Sequence, residues 1–160
     1  MADKPAEKTN VMRLLDQKKV VYGTHQLEGA EGLTGVQIAQ RLGLDPSCGF
    51  KTLVTVAASK KNYVFIVPVA MELDLKKAAK VTREKWVEMI PQKELLPLTG
   101  YVHGGCSPIG MKKRFPTFIH ESAAVFPAIR ISGGKVGVQV ELNLADLKKM
   151  VPVKEADIAS

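Results

Sequence analysis

Phe50-Lys51-Thr52-Leu53-Val54-Thr55-Val56-Ala57 is followed by the polar stretch Ser59 to Asn62 and then by Tyr63-Val64-Phe65-Ile66-Val67-Pro68-Val69. Two runs rich in β-branched and aromatic residues on either side of a short polar turn predict a β-hairpin. Its apolar residues need cover, and the flanking segments supply it. Upstream, Thr9 or Asn10 is placed to cap a helix carrying Val11, Leu14, Leu15 and the stem of Lys18 on one face. Val20 to Tyr22 is predicted as a strand and Gly23 to Glu31 as a loop. Thr34-Gly35-Val36-Gln37 has the spacing of a capping box ahead of Ile38, Ala39 and Leu42, and Gly43 stands where a helix terminates.

Downstream, Asp74 caps a basic helix through Lys80, Trp86 to Ile90 reads as a strand, and Pro91 opens a short helix ending near Leu96. Thr117 to His120, Ala128 to Ile131 and Lys135 to Leu142 read as strands, the last two joined by a tight turn at Gly133-Gly134. Asn143 caps a final helix with Leu144, Leu147 and Met150. Strands and short helices interspersed without regular alternation predict an α+β fold on a curved mixed sheet. The expected layout is a tail over residues 1–8, one domain over 9–153 and a second tail over 154–160.

Composition agrees with one packed core. The 160 residues are 46% hydrophobic and 24% charged, which excludes disordered, collagen-like and coiled-coil classes. Uncharged apolar runs fall short of the roughly 18 residues of a membrane helix, and the first ten residues lack the apolar core of a secretory signal. A cytoplasmic protein with no membrane partner is expected. Cys48 and Cys106 lack metal-ligand spacing, so neither a disulfide nor a metal site is predicted. The net charge of +7 favours polyanionic partners, with RNA or DNA first. Basic pairs recur from Lys18-Lys19 to Lys148-Lys149, with a triplet at Lys112-Lys113-Arg114, so a folded surface rather than a basic tail carries the charge.

Chemistry concentrates at two places. Gly43 to Thr52 resembles a phosphate-binding P-loop only superficially, because Phe50 separates Gly49 from Lys51 and the first spacing is one residue too long. Lys51, beginning an apolar strand beside a glycine turn, is positioned to bring its ammonium to the mouth of a site. The second place is Leu98 to Phe115, LTGYVHGGCSPIGMKKRF, an irregular stretch with four glycines. Within it Gly104 and Gly105 allow main-chain N–H groups to approach a ligand, and Pro108 stiffens the turn. Cys106 and His103 lie three residues apart, but no third residue orients the pair, and a lone loop cysteine is more often a packing residue than a nucleophile.

At these residues the chain resembles the YbaK family of aminoacyl-tRNA trans-editing proteins, free-standing relatives of the editing domain of bacterial prolyl-tRNA synthetases. The resemblance runs through Thr9 to Leu15, Phe50 to Val54, Leu73 to Ala79, Thr99 to Gly110 and Ile131 to Gly134, in that order. The family's Gly-x-x-x-Pro loop falls on Gly104 to Pro108 and its functional lysine on Lys51. The resemblance implies a barrel-like sheet, no cofactor, and release of a mischarged amino acid from tRNA, most similarly cysteine from the proline tRNA. It implies as partners the mischarged tRNA(Pro) and a prolyl-tRNA synthetase that supplies tRNA selectivity. No protein nucleophile is implied, since the substrate thiol attacks its own ester. Lys51 would hold the terminal phosphate or polarise the ester, and Gly104 and Gly105 would present backbone donors. Thr52, Tyr101, Pro108 and Ser132 would contact or shape the aminoacyl-adenosine end. Where the family often carries a tyrosine after the first strand, this chain has His25-Gln26-Leu27, which leaves the preferred amino acid open. Alternatives are a deacylase for alanine or serine, or a binding module without turnover.

Overall fold

Thr9 starts the first helix, α1 (Asn10–Gln17), by accepting a hydrogen bond from the Met12 N–H, and Val11, Met12 and Leu15 are driven into the core by their three-and-four spacing. The computed structural model describes residues 8–160; the expected tail over residues 1–8 lies, except for Lys8, outside them. Beyond α1 come β1 (Gly23–Gln26), α2 (Gly35–Leu42), β2 (Phe50–Ala57), β3 (Asn62–Pro68), α3 (Leu75–Thr82), β4 (Val87–Met89) and α4 (Leu95–Thr99). The chain continues through β5 (Thr117–His120), β6 (Ile129–Lys135), β7 (Val138–Leu142), α5 (Leu144–Met150) and β8 (Val153–Ala156).

The hairpin read from the sequence is β2 and β3, antiparallel from Phe50 opposite Pro68 to Val56 opposite Asn62. It is the centre of a five-stranded sheet ordered β4-β2-β3-β5-β8, in which β5 and β8 run parallel to their neighbours. A three-stranded antiparallel sheet, β1-β7-β6, lies beside it. A parallel bridge from Gly49 to Arg130 joins the start of β2 to β6, and β4 takes the same edge of β2 further along. The fold is therefore α+β in one domain, but the sheet does not close into a barrel: β1 and β8 remain outer edges.

Alternation on β2 separates two cores. Phe50, Val54 and the half-buried Val56 face a large core with Ile129, Ile131, Val138, Val140, α1 and α5. Leu53 and Ala57 face a smaller one with Phe65, Ala78 of α3, Ile158 and Ala159. Phe65, fully buried, stacks on Phe118 at 5.6 Å between centroids, a pair worth about 0.5–1.5 kcal/mol beyond its area burial.

Three local expectations shift. The first strand is not Val20 to Tyr22 but Gly23–Gln26, inside the segment read as loop. Val20 instead closes α1 by donating its N–H to Leu15, and β1 is held by main-chain pairing with β7, which side-chain hydrophobicity does not announce. Gly133-Gly134 is not the turn: β6 runs through a register irregularity to Lys135, and the chain reverses at Val136-Gly137, where Gly137 has φ of 83°. Residues 154–160 are built into the fold. Their polar β8 pairs with β5, Ala159 bridges to Leu73, and Ile158 is fully buried.

Candidate active site

The parallel bridge between Gly49 and Arg130 puts these residues on the same sheet face, and a Cβ on Gly49 would lie 3.1 Å from Arg130 Nη2. Two residues further along each strand come Lys51 and Ser132, on that same face by strand alternation; on β2 it is the open end of the side that Leu53 and Ala57 line further along. Register extends the face across the smaller sheet: Ser132 is directly opposite Gln139, and Gln139 is directly opposite His25. The adjoining row is Arg130, Glu141 and Gly23. The inward residues of the same strands, Ile129, Ile131, Val138, Val140 and Leu142, are apolar and buried. On β6 and β7 one face is therefore core, and the other carries the polar groups.

Lys51 Nζ stands 3.4 Å from Glu72 Oε2, and the Glu72 side chain is 86% exposed. Such a partner contributes about 0–1 kcal/mol and can be exchanged for another anion. The Ser132 hydroxyl accepts from the Gly134 N–H at 3.0 Å, leaving its proton available to an acceptor. His25 Nε2 and Glu141 Oε1 are 2.7 Å apart. Arg130, 4% exposed, donates from Nη2 to the Asp45 carbonyl, which ties the turn before β2 over this face. Gly35, opening α2, packs directly on Val69 at the end of the hairpin. Side-chain and backbone hydrogen bonds from Ser47 hold the Asp45 carboxyl below its usual range.

The glycine loop sits at the hairpin end of β6 and β7. A Cβ on Gly105 would meet Val136 N at 3.1 Å and Lys135 backbone atoms, while Gly104 has φ of 86° and lies against Val136. Cys106 and Ser107 are buried, and the Ser107 hydroxyl accepts from the Ile109 N–H. Burial pushes the Cys106 thiol up to about 12, so at neutral pH it is protonated and unsuited to nucleophilic attack.

The seven residues singled out in the sequence divide in three. Lys51 and Ser132 share the polar face. Gly104 and Gly105 abut the turn at the end of that face, and Pro108 leads from the loop into a cleft of about 490 Å³ rimmed by Lys18, Lys113 and Arg114. Thr52 and Tyr101 turn inward: Thr52 shares the core-facing side of β2 with Phe50 and Val54, and the buried Tyr101 donates its phenol proton to the Ile109 carbonyl. Sequence reading missed Arg130, Gln139 and Glu141, whose signal is their place as polar residues alternating with apolar ones on β6 and β7. Among the described residues no group of three His, Cys, Asp or Glu is placed to hold a metal ion, and no helix is long and apolar enough to cross a membrane.

Comparison with known proteins bears on the family and the fold. Residues 30–150 match a family described as the aminoacyl-tRNA editing domain. Over 140 residues the chain is 46% identical to the Enterococcus faecalis (strain ATCC 700802 / V583) protein named "Putative Cys-tRNA(Pro)/Cys-tRNA(Cys) deacylase EbsC", covering 87% of this chain and 85% of that one. Among solved structures, one titled as "a putative trans-editing enzyme for prolyl tRNA synthetase" superposes with TM-score 0.82 at 22% identity, covering 96% of this chain and 99% of the other. A crystal structure of a hypothetical protein gives TM-score 0.84 at 18% identity over 94% of this chain and 99% of that one. At these identities the two structures establish the fold.

Proposed function

Because the chain belongs to the aminoacyl-tRNA editing domain family, we propose that it is a trans-editing deacylase that releases cysteine from mischarged Cys-tRNA(Pro). The observation that carries this reading is the pairing of Lys51, whose partner is an exposed and replaceable carboxylate, with Ser132 on one outward sheet face. The 46% identical relative bears a Cys-tRNA deacylase name, which directs the choice of amino acid and tRNA.

Lys51 supplies positive charge to the terminal phosphate or the ester. Gly104, held against the β6–β7 turn, presents its main-chain donor to the carbonyl or the ribose, while Gly105, read from the sequence as a second donor, spends its N–H on the Val102 carbonyl and instead shapes the turn. Ser132 donates its hydroxyl proton to the aminoacyl-adenosine end. Pro108 and Tyr101 fix the loop, Thr52 packs behind Lys51, and the cleft edged by Lys18, Lys113 and Arg114 receives tRNA phosphates. The nucleophile is the substrate's own thiol. Its sulfur bonds to the ester carbonyl carbon, the bond to the terminal ribose oxygen breaks, and the thiol proton ends on that oxygen, leaving a cyclic thioester. A thiol with an ordinary pKa near 8.5 is partly ionised at neutral pH, so holding it in the attacking rotamer supplies most of the catalysis. Prolyl-tRNA synthetase is the partner that would add tRNA selectivity.

The test is deacylation of cysteinyl-tRNA(Pro) beside cysteinyl-tRNA(Cys) and alanyl-, seryl- and prolyl-tRNA(Pro), for wild type and Lys51→Ala, with the product identified. Rapid thioester-derived loss of cysteine that disappears in Lys51→Ala is the expected result. Comparable release of alanine or serine would replace this mechanism with water-based hydrolysis, and no release from any substrate would leave a binding module.

A further inference from the structure

Three buried polar side-chain atoms among the described residues have no hydrogen-bond partner in the protein: Thr52 Oγ1, Arg130 Nε and Gln139 Oε1. Two of the three, on Arg130 and Gln139, lie on the outward face that carries Ser132. Buried polar atoms are nearly always paired, and leaving one unpaired is costly, so two on one sheet face mark where a ligand completes the bonding. Gln139 is central, directly opposite both Ser132 and His25 on the neighbouring strands.

We propose that the side-chain carbonyl of Gln139 accepts a hydrogen bond from the α-ammonium of the aminoacyl group and so orients the amino acid for ester cleavage. The assignment rests on the deacylase reading above and names what holds the amino-acid end. An amide oxygen only accepts, so its ligand must be a donor. Near its ester, a cysteinyl adenosine offers three: the α-ammonium, the thiol and the ribose hydroxyl. Glu141, two residues along β7 on the same face, adds a carboxylate that favours the cationic one. The spacing fits: directly opposed residues on paired strands place their side chains about 5 Å apart. An ester group over Ser132 thereby brings its α-nitrogen toward Gln139. His25, hydrogen-bonded to Glu141, bounds the row on the far side and fixes that carboxylate.

The probe is a stable amide analogue, 3′-cysteinylamino-3′-deoxyadenosine, with its N-acetyl and 2′-deoxy forms, titrated calorimetrically against wild type, Gln139→Ala and Gln139→Glu. A hydrogen bond to a charged group predicts that wild type prefers the free amine over the acetylated form by roughly tenfold or more. Gln139→Ala should bring the preference close to one, while Gln139→Glu, which keeps an acceptor oxygen, should retain it. An unchanged preference in a folded Gln139→Ala would overturn the assignment, as would a loss of discrimination confined to the 2′-deoxy form. Deacylation of cysteinyl-tRNA by wild type, run in parallel, separates the two ideas: turnover with no amine preference defeats this inference alone, and absence of turnover defeats the reading on which it rests.

Discussion

The phenol of Tyr101 donates to the main-chain carbonyl of Ile109, a bond that spans the whole Gly104 to Pro108 segment. It closes the glycine loop on itself at a position where both partners are buried. A second closure, from the Gly105 N–H to the Val102 carbonyl at 2.9 Å, tightens the same loop. The Gly104 donor assigned to this loop is thus held by a brace the loop carries within itself, and the Gly105 N–H is part of that brace. Tyr101→Phe leaves the Ile109 carbonyl unpaired and should cost about 1–3 kcal/mol of stability, read by urea denaturation, with deacylation falling alongside. Lost activity at unchanged stability would instead mean that the phenol touches substrate.

Cys106 lies within that brace, and its buried thiol stays protonated at neutral pH. Cys106→Ala should therefore retain cysteinyl-tRNA deacylation to within about twofold once folded protein is compared, since a small buried side chain is being traded for a slightly smaller one. A loss of several orders of magnitude would restore a protein nucleophile.

The same burial makes stability depend on alkaline pH. Cys106 is raised by burial from 9.0 to about 12, and Tyr101 by burial and then by the neighbouring Cys106 from 10.0 to about 12. Above about pH 9 the unfolded chain loses protons that the folded chain keeps, so stability is fully present below that pH and falls as pH rises toward 12. Denaturation midpoints from pH 7 to 11 should fall steeply in wild type and less steeply in Cys106→Ala; equal slopes would refute the assignment.

Gly35 is needed for space. Its added Cβ would stand 2.4 Å from Val69 Cγ1 and 2.6 Å from Val69 Cβ, so α2 and the end of β3 would have to separate. Gly35→Ala should destabilise by roughly 1–3 kcal/mol, outweighing the gain of about 1 kcal/mol that alanine brings to a helix. A raised thermal midpoint would show that α2 shifts without cost.

Glu72 pairs with Lys51, the residue proposed to meet the substrate's anionic end. Glu72→Gln should leave stability nearly unchanged, because an exposed pair is worth about 0–1 kcal/mol, and should lower KM for tRNA by up to about fivefold at low salt. The gain should shrink as salt is added; an increase in KM would mean that Glu72 positions Lys51 productively.

Local chemistry made much of this chain legible. The Thr34 capping box, the Thr9, Asp74 and Asn143 caps and the β2–β3 hairpin follow from short-range hydrogen bonding and strand alternation, and each forms as read. Lys51 and the glycine loop were visible because an unusual residue type stands at an unusual place. The polar strands β1 and β8 were not visible, since their stability comes from main-chain bonds to partners more than a hundred residues away for β1 and over thirty for β8. The sheet's failure to close was equally hidden, because closure depends on which edges meet.

By itself, the sequence determined the α+β class, the central hairpin, the loop and the candidate lysine, all of them properties of residues within a few positions of one another. Tertiary structure alone decided that Lys51 and Ser132 share a face while Thr52 turns to the core, and that Gln139 stands between Ser132 and His25 with its carbonyl unpaired. Alternation gives each strand two faces, but which face becomes core and which receives a ligand is fixed only when register sets the strands side by side.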